Sequence, residues 1–101
     1  MNEVEFRNWM TKNNVKPKVQ SDIVSRIKKI EREIENCDID EQYRSDECAS
    51  LMAMFLNMGE NDLMRKYPHA RFPIGKYHMS TFRYAIKHYV TFCKDYPTIE
   101  Y

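Results

Sequence analysis

The chain of 101 residues has only two glycines, and its three cysteines are widely spaced without a C-x-x-C pair. Glycine is the residue that forms tight hairpin turns most readily, so its scarcity argues against a sheet built from β-hairpins. An odd and scattered set of cysteines argues against a disulfide framework and a zinc knuckle. We therefore predict an all-α fold in a reducing compartment, the cytoplasm.

Long apolar runs are also lacking. No stretch approaches the roughly 18 uninterrupted apolar residues of a membrane span, and Glu3 and Glu5 stand where a signal peptide would become apolar. Hydrophobic residues still make up 43% of the chain, which suffices for a core without disulfides. Because no repeat or linker divides the sequence, we expect a single helical domain over 1–101 that does not bind membranes.

Carboxylates are absent from 63–94, although the net charge of the whole chain is only +1. This segment carries seven Lys/Arg residues interleaved with aromatic residues, whereas most acids lie in 31–62. A second basic segment, 6–29, leaves open whether the two share a face. Lys and Arg neutralise phosphates, so the distribution predicts binding to DNA. The residues expected to contact the phosphates are Arg65, Lys66, Arg71, Lys76, Arg83 and Lys87.

The first predicted helix begins at Glu3, with Asn2 as its capping residue and Glu5 at the third helical position, and it ends at Lys12 or Asn13. A spacing of three and four residues places three large apolar side chains on one face. These side chains are Phe6, Trp9 and Met10.

The second helix has an unbroken apolar stripe, and two starts remain open for it. Pro17 suits a first-turn position, whereas Ser21 could cap a shorter helix. The stretch 36–40 ends the helix. Its apolar residues recur every three or four positions. They are Val19, Ile23, Ile27, Ile30 and Ile34.

A third helix is predicted from a cap at Ser45 to a terminator at Gly59, and a short turn or helix over 61–66 follows it. Prolines and Gly75 interrupt any period in 67–79, which we expect to be one long irregular loop. The apolar face of the third helix should comprise Cys48, Leu51, Met52, Phe55 and Leu56.

The last helix is predicted from a cap at Ser80 to about Asp95. Its buried stripe should comprise Phe82, Ala85 or Ile86, Tyr89, and Phe92 or Cys93. The aromatic residues outside this stripe are candidates for an exposed contact, and they are Tyr67, Phe72, Tyr77 and Tyr84. The expected architecture is one compact bundle of four main helices.

Four motifs carry a resemblance to known DNA-associated modules. They are Phe6-Arg7-x-Trp9-Met10, Ser21-Asp22-x-x-Ser25-Arg26-x-x-x-Ile30-Glu31, Asp38-Ile39-Asp40-Glu41-x-Tyr43 and Ser80-Thr81-Phe82-Arg83-x-Ala85-Ile86-x-x-Tyr89-x-x-Phe92. Together they resemble the small N-terminal helical module of bacterial restriction and HNH-type endonucleases. The order of helices is also similar to the core-binding domain of tyrosine recombinases. The resemblance implies a DNA-binding module of a defence system or mobile element, and it supplies no catalytic residue.

Enzyme motifs are missing from the sequence. No histidine begins a His-x-x-Arg motif, the histidines are nine and ten residues apart, and no Glu-x-Lys or Asp-x-Lys occurs. A Gly-rich phosphate loop and a Gly-x-Ser-x-Gly elbow are also absent. We therefore predict a protein that is not an enzyme and needs no cofactor or metal. The alternative is a protein-interaction module, such as a small phage-encoded inhibitor, with an adaptable surface formed by Met52, Met54, Met58 and Met64.

Overall fold

The computed structural model of the protein describes residues 1–34, 37–56, 64 and 76–95. These residues form helices and no strands, which confirms the all-α prediction. Within the described ranges there are five helices of six or more residues, whereas four main helices are predicted from the sequence. They are α1 (Glu3–Lys12), α2 (Pro17–Glu33), α3 (Ile39–Asp46), α4 (Ala49–Met54) and α5 (Lys76–Asp95).

Helices α1 and α2 form an antiparallel hairpin. Asn14 turns the chain between them with a φ of 62°, a conformation that asparagine accepts more readily than most residues. The buried Gln20 side chain fastens the corner, because its Nε2 donates to the Val15 carbonyl over 2.8 Å and to Thr11 Oγ1 over 3.0 Å. Pro17 is the first residue of α2, so the longer of the two predicted helices is correct.

The start of α1 matches its prediction in position but not in capping. Asn2 is the N-cap residue, yet its side chain makes no capping hydrogen bond. Its main-chain N–H instead donates to the hydroxyl of Tyr89 over 2.9 Å. The first turn of α1 is therefore tied to α5 rather than closed by its own cap.

The predicted third helix is wrong in both its start and its continuity. The carboxylate of Asp38 accepts a hydrogen bond from the Asp40 amide and starts α3 at Ile39, well before Ser45. Glu47 and Cys48 then adopt positive φ values of 55° and 65°, which end α3 and separate it from α4. Ser45 consequently lies inside α3. The Gly59 terminator lies outside the described residues.

The apolar face predicted for this region also needs a correction. Cys48, Leu51 and Phe55 are buried as expected. Leu56 is 52% exposed, and Met54 is buried in its place. Leu56 lies beyond Phe55, the C-cap residue of α4, whereas Met54 is the last residue of the helix and lies three positions after Leu51, on the same side.

Helix α5 begins earlier than predicted, at Lys76, so that Ser80 lies inside it and does not cap it. The fully buried Met79 explains the extension, because it lies three residues before Phe82 and lengthens the apolar stripe by one turn. The predicted loop 67–79 is therefore helical from Lys76. Its remaining residues lie outside the described ranges. The rest of the predicted stripe is buried, with Cys93 half-buried at its edge.

The core lies where the apolar faces of α1, α2 and α5 meet. The ring of Phe6 is fully buried, with centroid distances of 4.9 Å to Tyr89 and 5.2 Å to Phe92. Trp9 continues this contact, and its indole N–H donates to Asp95 Oδ2 over 2.9 Å. Because Asn2 lies beside Tyr89 and Trp9 beside Asp95, α1 and α5 run parallel and α2 runs antiparallel to both.

Truncation of Phe6 tests this description of the core. We expect Phe6→Ala to lower the free energy of unfolding by about 3–5 kcal/mol, because it removes a buried ring and leaves a cavity. Val4→Ala on the same helix is the control, since Val4 is 70% exposed and should change stability by less than about 0.5 kcal/mol. Urea denaturation followed by circular dichroism measures both. Equal effects of the two substitutions would contradict the assignment of these faces.

Candidate nucleic-acid interface

Two of the six predicted phosphate contacts have described side chains. Arg65, Lys66 and Arg71 lie outside the described residues, and Lys76 is placed only as the first residue of α5. Arg83 and Lys87 lie on α5 but in different environments.

Arg83 is half-buried and is engaged within the fold. Its Nη1 donates a hydrogen bond to the main-chain carbonyl of Phe55, at the end of α4. The rings of Phe55 and Phe82 stack beside this bond, with centroids 5.3 Å apart and an interplanar angle of 17°. Arg83 therefore fastens α4 to α5, and only part of its guanidinium group remains for a ligand.

Lys87 is exposed and lies on the outward face of α5, which also carries Tyr84, Thr91 and Lys94. The ring of Tyr84 is 48% exposed and lies 4.2 Å from that of His88. Lys94 is in contact with Glu47, with an Nζ to Oε1 distance of 3.6 Å. Lys87 makes no ion pair with any other described residue. Of the two lysines on this face, it is the one that is available without displacing a described carboxylate.

The outward faces of α2 and α5, which carry the described cations of the two basic segments, do not coincide. Between the described helices, the largest contact joins α2 and α5 through their apolar stripes. Their polar faces must consequently point away from each other. For the described helices, this answers a question that the order of charges along the sequence leaves open.

The phosphate contacts predicted from the sequence do not include the cations on the outward face of α2, where Lys18, Lys28 and Arg32 are exposed. The signal that identifies them is their spacing, because they lie on the side of the helix opposite the isoleucine stripe. The number of Lys and Arg residues in 6–29 does not distinguish these three cations from those on other faces of α1 and α2.

A polar network closes the end of the bundle where α1 begins. The Tyr89 hydroxyl donates to Asp40 Oδ1 over 2.5 Å, and the Met1 ammonium lies 2.9 Å from Asp40 Oδ2. Burial lowers the pKa of this ammonium, but the hydrogen bond and charge of Asp40 outweigh burial, so that its pKa is raised. Burial and the bond to Asp40 also raise the pKa of Tyr89. The network joins α1, α3 and α5 and is structural.

The thiols are poorly suited to nucleophilic chemistry. Burial is the main cause that raises the pKa of Cys37 to about 11 and the pKa values of Cys48 and Cys93 to about 12. The thiolate is the reactive form of cysteine, so these side chains are almost entirely protonated at neutral pH.

Neither a metal cluster nor a membrane span is found in the part of the chain that the structure describes. No three His, Cys, Asp or Glu side chains converge there as a metal site would require. None of the described helices combines the length and the apolarity needed to cross a bilayer.

Comparisons of the chain with protein-family models, with curated proteins and with solved structures find no match.

Substitutions of Arg83 and Lys87 should separate a structural role from surface exposure. We expect Arg83→Gln to lower the free energy of unfolding by about 1–2 kcal/mol, because it removes a charged donor from the Phe55 carbonyl. Lys87→Gln should change stability by less than about 0.5 kcal/mol, since Lys87 is exposed. Thermal or urea unfolding measures both. A larger loss in Lys87→Gln than in Arg83→Gln would contradict these assignments.

Thiol alkylation tests the environment of the cysteines. The pKa of Cys37 is raised from 9.0 to about 11, so at pH 8 its thiolate fraction should be about 100-fold smaller than in the unfolded chain. The raised cysteine pKa values also stabilise the folded protein. This contribution to the free energy of unfolding is complete below pH 9, the cysteine pKa in the unfolded chain, and should fall as the pH rises through the pKa values of the folded state. Mass spectrometry after brief iodoacetamide treatment, with and without denaturant, measures the ratio of the alkylation rates in the unfolded and folded chain. Equal rates in the two conditions would refute the protection.

Proposed function

We propose that the chain is a non-enzymatic helical module that binds the phosphate backbone of duplex DNA. The observation that carries the proposal is the character of the outward face of α5. From Lys76 to Lys94 this helix has no carboxylate, and Lys87 is exposed on it. A phosphate approaching Lys87 meets positive charge without an acid of the same helix beside it, because Asp95, the last residue of α5, lies about two turns further on and accepts the hydrogen bond of Trp9.

The neighbours of Lys87 are chemically suited to a nucleic-acid backbone. Ser80 and the half-exposed Tyr84 supply hydroxyl groups on the same face, and such groups are common donors to phosphate oxygens. These contacts position a protein on a duplex but carry no base sequence information. We therefore propose backbone binding and no base readout.

The biological setting remains part of the proposal. The resemblance to modules of restriction endonucleases and tyrosine recombinases supports a DNA-associated role in a defence system or mobile element, including a phage. The missing catalytic motifs and the protonated thiols support a non-enzymatic module. Binding in the cytoplasm is consistent with the free state of all three cysteines.

The second candidate function is protein interaction, as in a small phage-encoded inhibitor or a docking subunit. Tyr84 and Leu56 favour it, because they are large apolar side chains that are 48% and 52% exposed. The methionines support this candidate less strongly in the structure than the sequence analysis predicts. Met54 is buried, and Met52 and Met64 pack against the core, while Met58 lies outside the described residues.

A salt titration of duplex binding tests the first proposal. Four to six engaged cations should give a slope of roughly 4 to 5 in a plot of log affinity against log salt. Lys87→Gln should reduce this slope by about 0.9, the value for one lost phosphate contact. Mobility shifts with a short duplex DNA over a series of salt concentrations provide the slope.

The matched control is Arg44→Gln, which removes one exposed charge from the acidic helix α3. It should leave the slope unchanged. No shift of the wild-type chain at low salt, together with a stable oligomer or complex in size-exclusion chromatography, would overturn the DNA proposal in favour of protein interaction.

A further inference from the structure

We propose that the outward face of α2 is a second phosphate-binding surface for nucleic acid, on the side of the molecule opposite to α5. The inference rests on the proposed function, because it takes nucleic acid as the ligand from that proposal. It assigns binding to a different helix and to residues outside 63–94. The exposed residues that form this surface are Lys18, Ser21, Ser25, Lys28 and Arg32.

Helix geometry places these five residues in one row. They follow one another at intervals of three or four, which is the spacing of neighbours along one side of an α-helix. The fully buried Ile23, Ile27 and Ile30 follow the same rule on the opposite side and pack in the core. The row is consequently held toward solvent by the burial of the isoleucines.

The charge of this surface is strongly biased. Asp22 is the one carboxylate of α2 that is exposed. Lys28 and Arg32 contact Glu3 and Glu33 at 3.0 Å and 3.6 Å, but both cations remain more than half exposed. Exposed pairs of this kind contribute little energy, so a phosphate can compete for either cation. Lys18 makes no ion pair with a described residue and is available directly.

The dimensions of the row fit a duplex. Lys18 and Arg32 are fourteen residues apart on α2, which corresponds to about 21 Å along the helix axis. This exceeds the roughly 12 Å width of the major groove of B-DNA. The two ends of the row can therefore reach phosphates on different strands. Between them, Ser21 and Ser25 are short and allow a close approach, and their hydroxyls can donate to phosphate oxygens.

A nucleic acid fits this surface better than an anionic membrane. A helix that lies on a membrane inserts its apolar face into the lipid. The apolar face of α2 is already buried against α5, and the outward row contains only Lys, Ser and Arg. Charge and hydroxyl groups without an insertable side chain are the combination that a phosphate backbone requires.

Two double variants with equal charge change separate this surface from the face of α5. Lys18→Gln/Arg32→Gln removes two cations from α2, and Lys87→Gln/Lys94→Gln removes two from α5. We expect the α2 variant to lower the log-log salt slope for a short duplex by about 1.8. From the same relation, duplex affinity at about 0.1 M salt should fall at least tenfold. Circular dichroism confirms that each variant is folded.

Removal of the exposed carboxylate of α2 should have the reverse effect. Asp22→Asn should tighten duplex binding by a few-fold, because it removes the only exposed carboxylate of α2. Glu41→Gln, an exposed acid of α3, is the control and should have a smaller effect. Parallel titrations with duplex DNA and duplex RNA distinguish the two sources of the same phosphate chemistry.

The outcomes are distinguishable. If the wild-type chain binds duplex and the α2 variant binds equally well, this inference is overturned while the proposed function stands. If the α2 variant loses affinity and the α5 variant does not, this inference is supported and the site on α5 is overturned. No binding of the wild type to either duplex overturns both. Binding to vesicles of phosphatidylserine that depends on Lys18 and Arg32, without duplex binding, assigns the surface to membranes instead.

Discussion

The packing of α2 against α5 is the contact on which the rest of the fold depends. Each helix has one apolar stripe, and each stripe is buried mainly by the other helix. Phe6 of α1 fills the remaining side of this interface through Tyr89 and Phe92. Once the two stripes are joined, the direction of every polar residue on both helices is fixed. The surface chemistry of the protein is thus a consequence of its core.

Much of the core follows from the sequence, because helical periodicity identifies buried residues without knowledge of their partners. The isoleucines of α2 and the aromatic stripe of α5 belong to this class. Helix boundaries in the middle of the chain do not follow in the same way. Asp38 and Ser45 are both good capping residues, and the choice between them depends on tertiary contacts. One such contact is the bond from the Ile39 amide to the Glu31 carboxylate, with an N to Oε2 distance of 3.0 Å.

The candidate site was also predictable only in part. The surplus of positive charge can be read from composition, and the exposure of Lys87 and Tyr84 follows from their positions outside the apolar stripe. The engagement of Arg83 could not be predicted, because its partner is a main-chain carbonyl placed by the docking of α4. Nor does the order of charges reveal that the outward faces of α2 and α5 point in opposite directions. That fact depends on which helix covers which stripe.

The consecutive left-handed residues Glu47 and Cys48 have a consequence for sequence variation. Neither position is glycine, and each accepts a backbone conformation that β-branched residues strongly disfavour. Valine or isoleucine should therefore be excluded from both positions in any chain that keeps this break, whereas glycine or asparagine would be tolerated at 47. Position 48 is restricted further, because its side chain is fully buried. Two adjacent residues thus limit how this part of the sequence can diverge while the fold is retained.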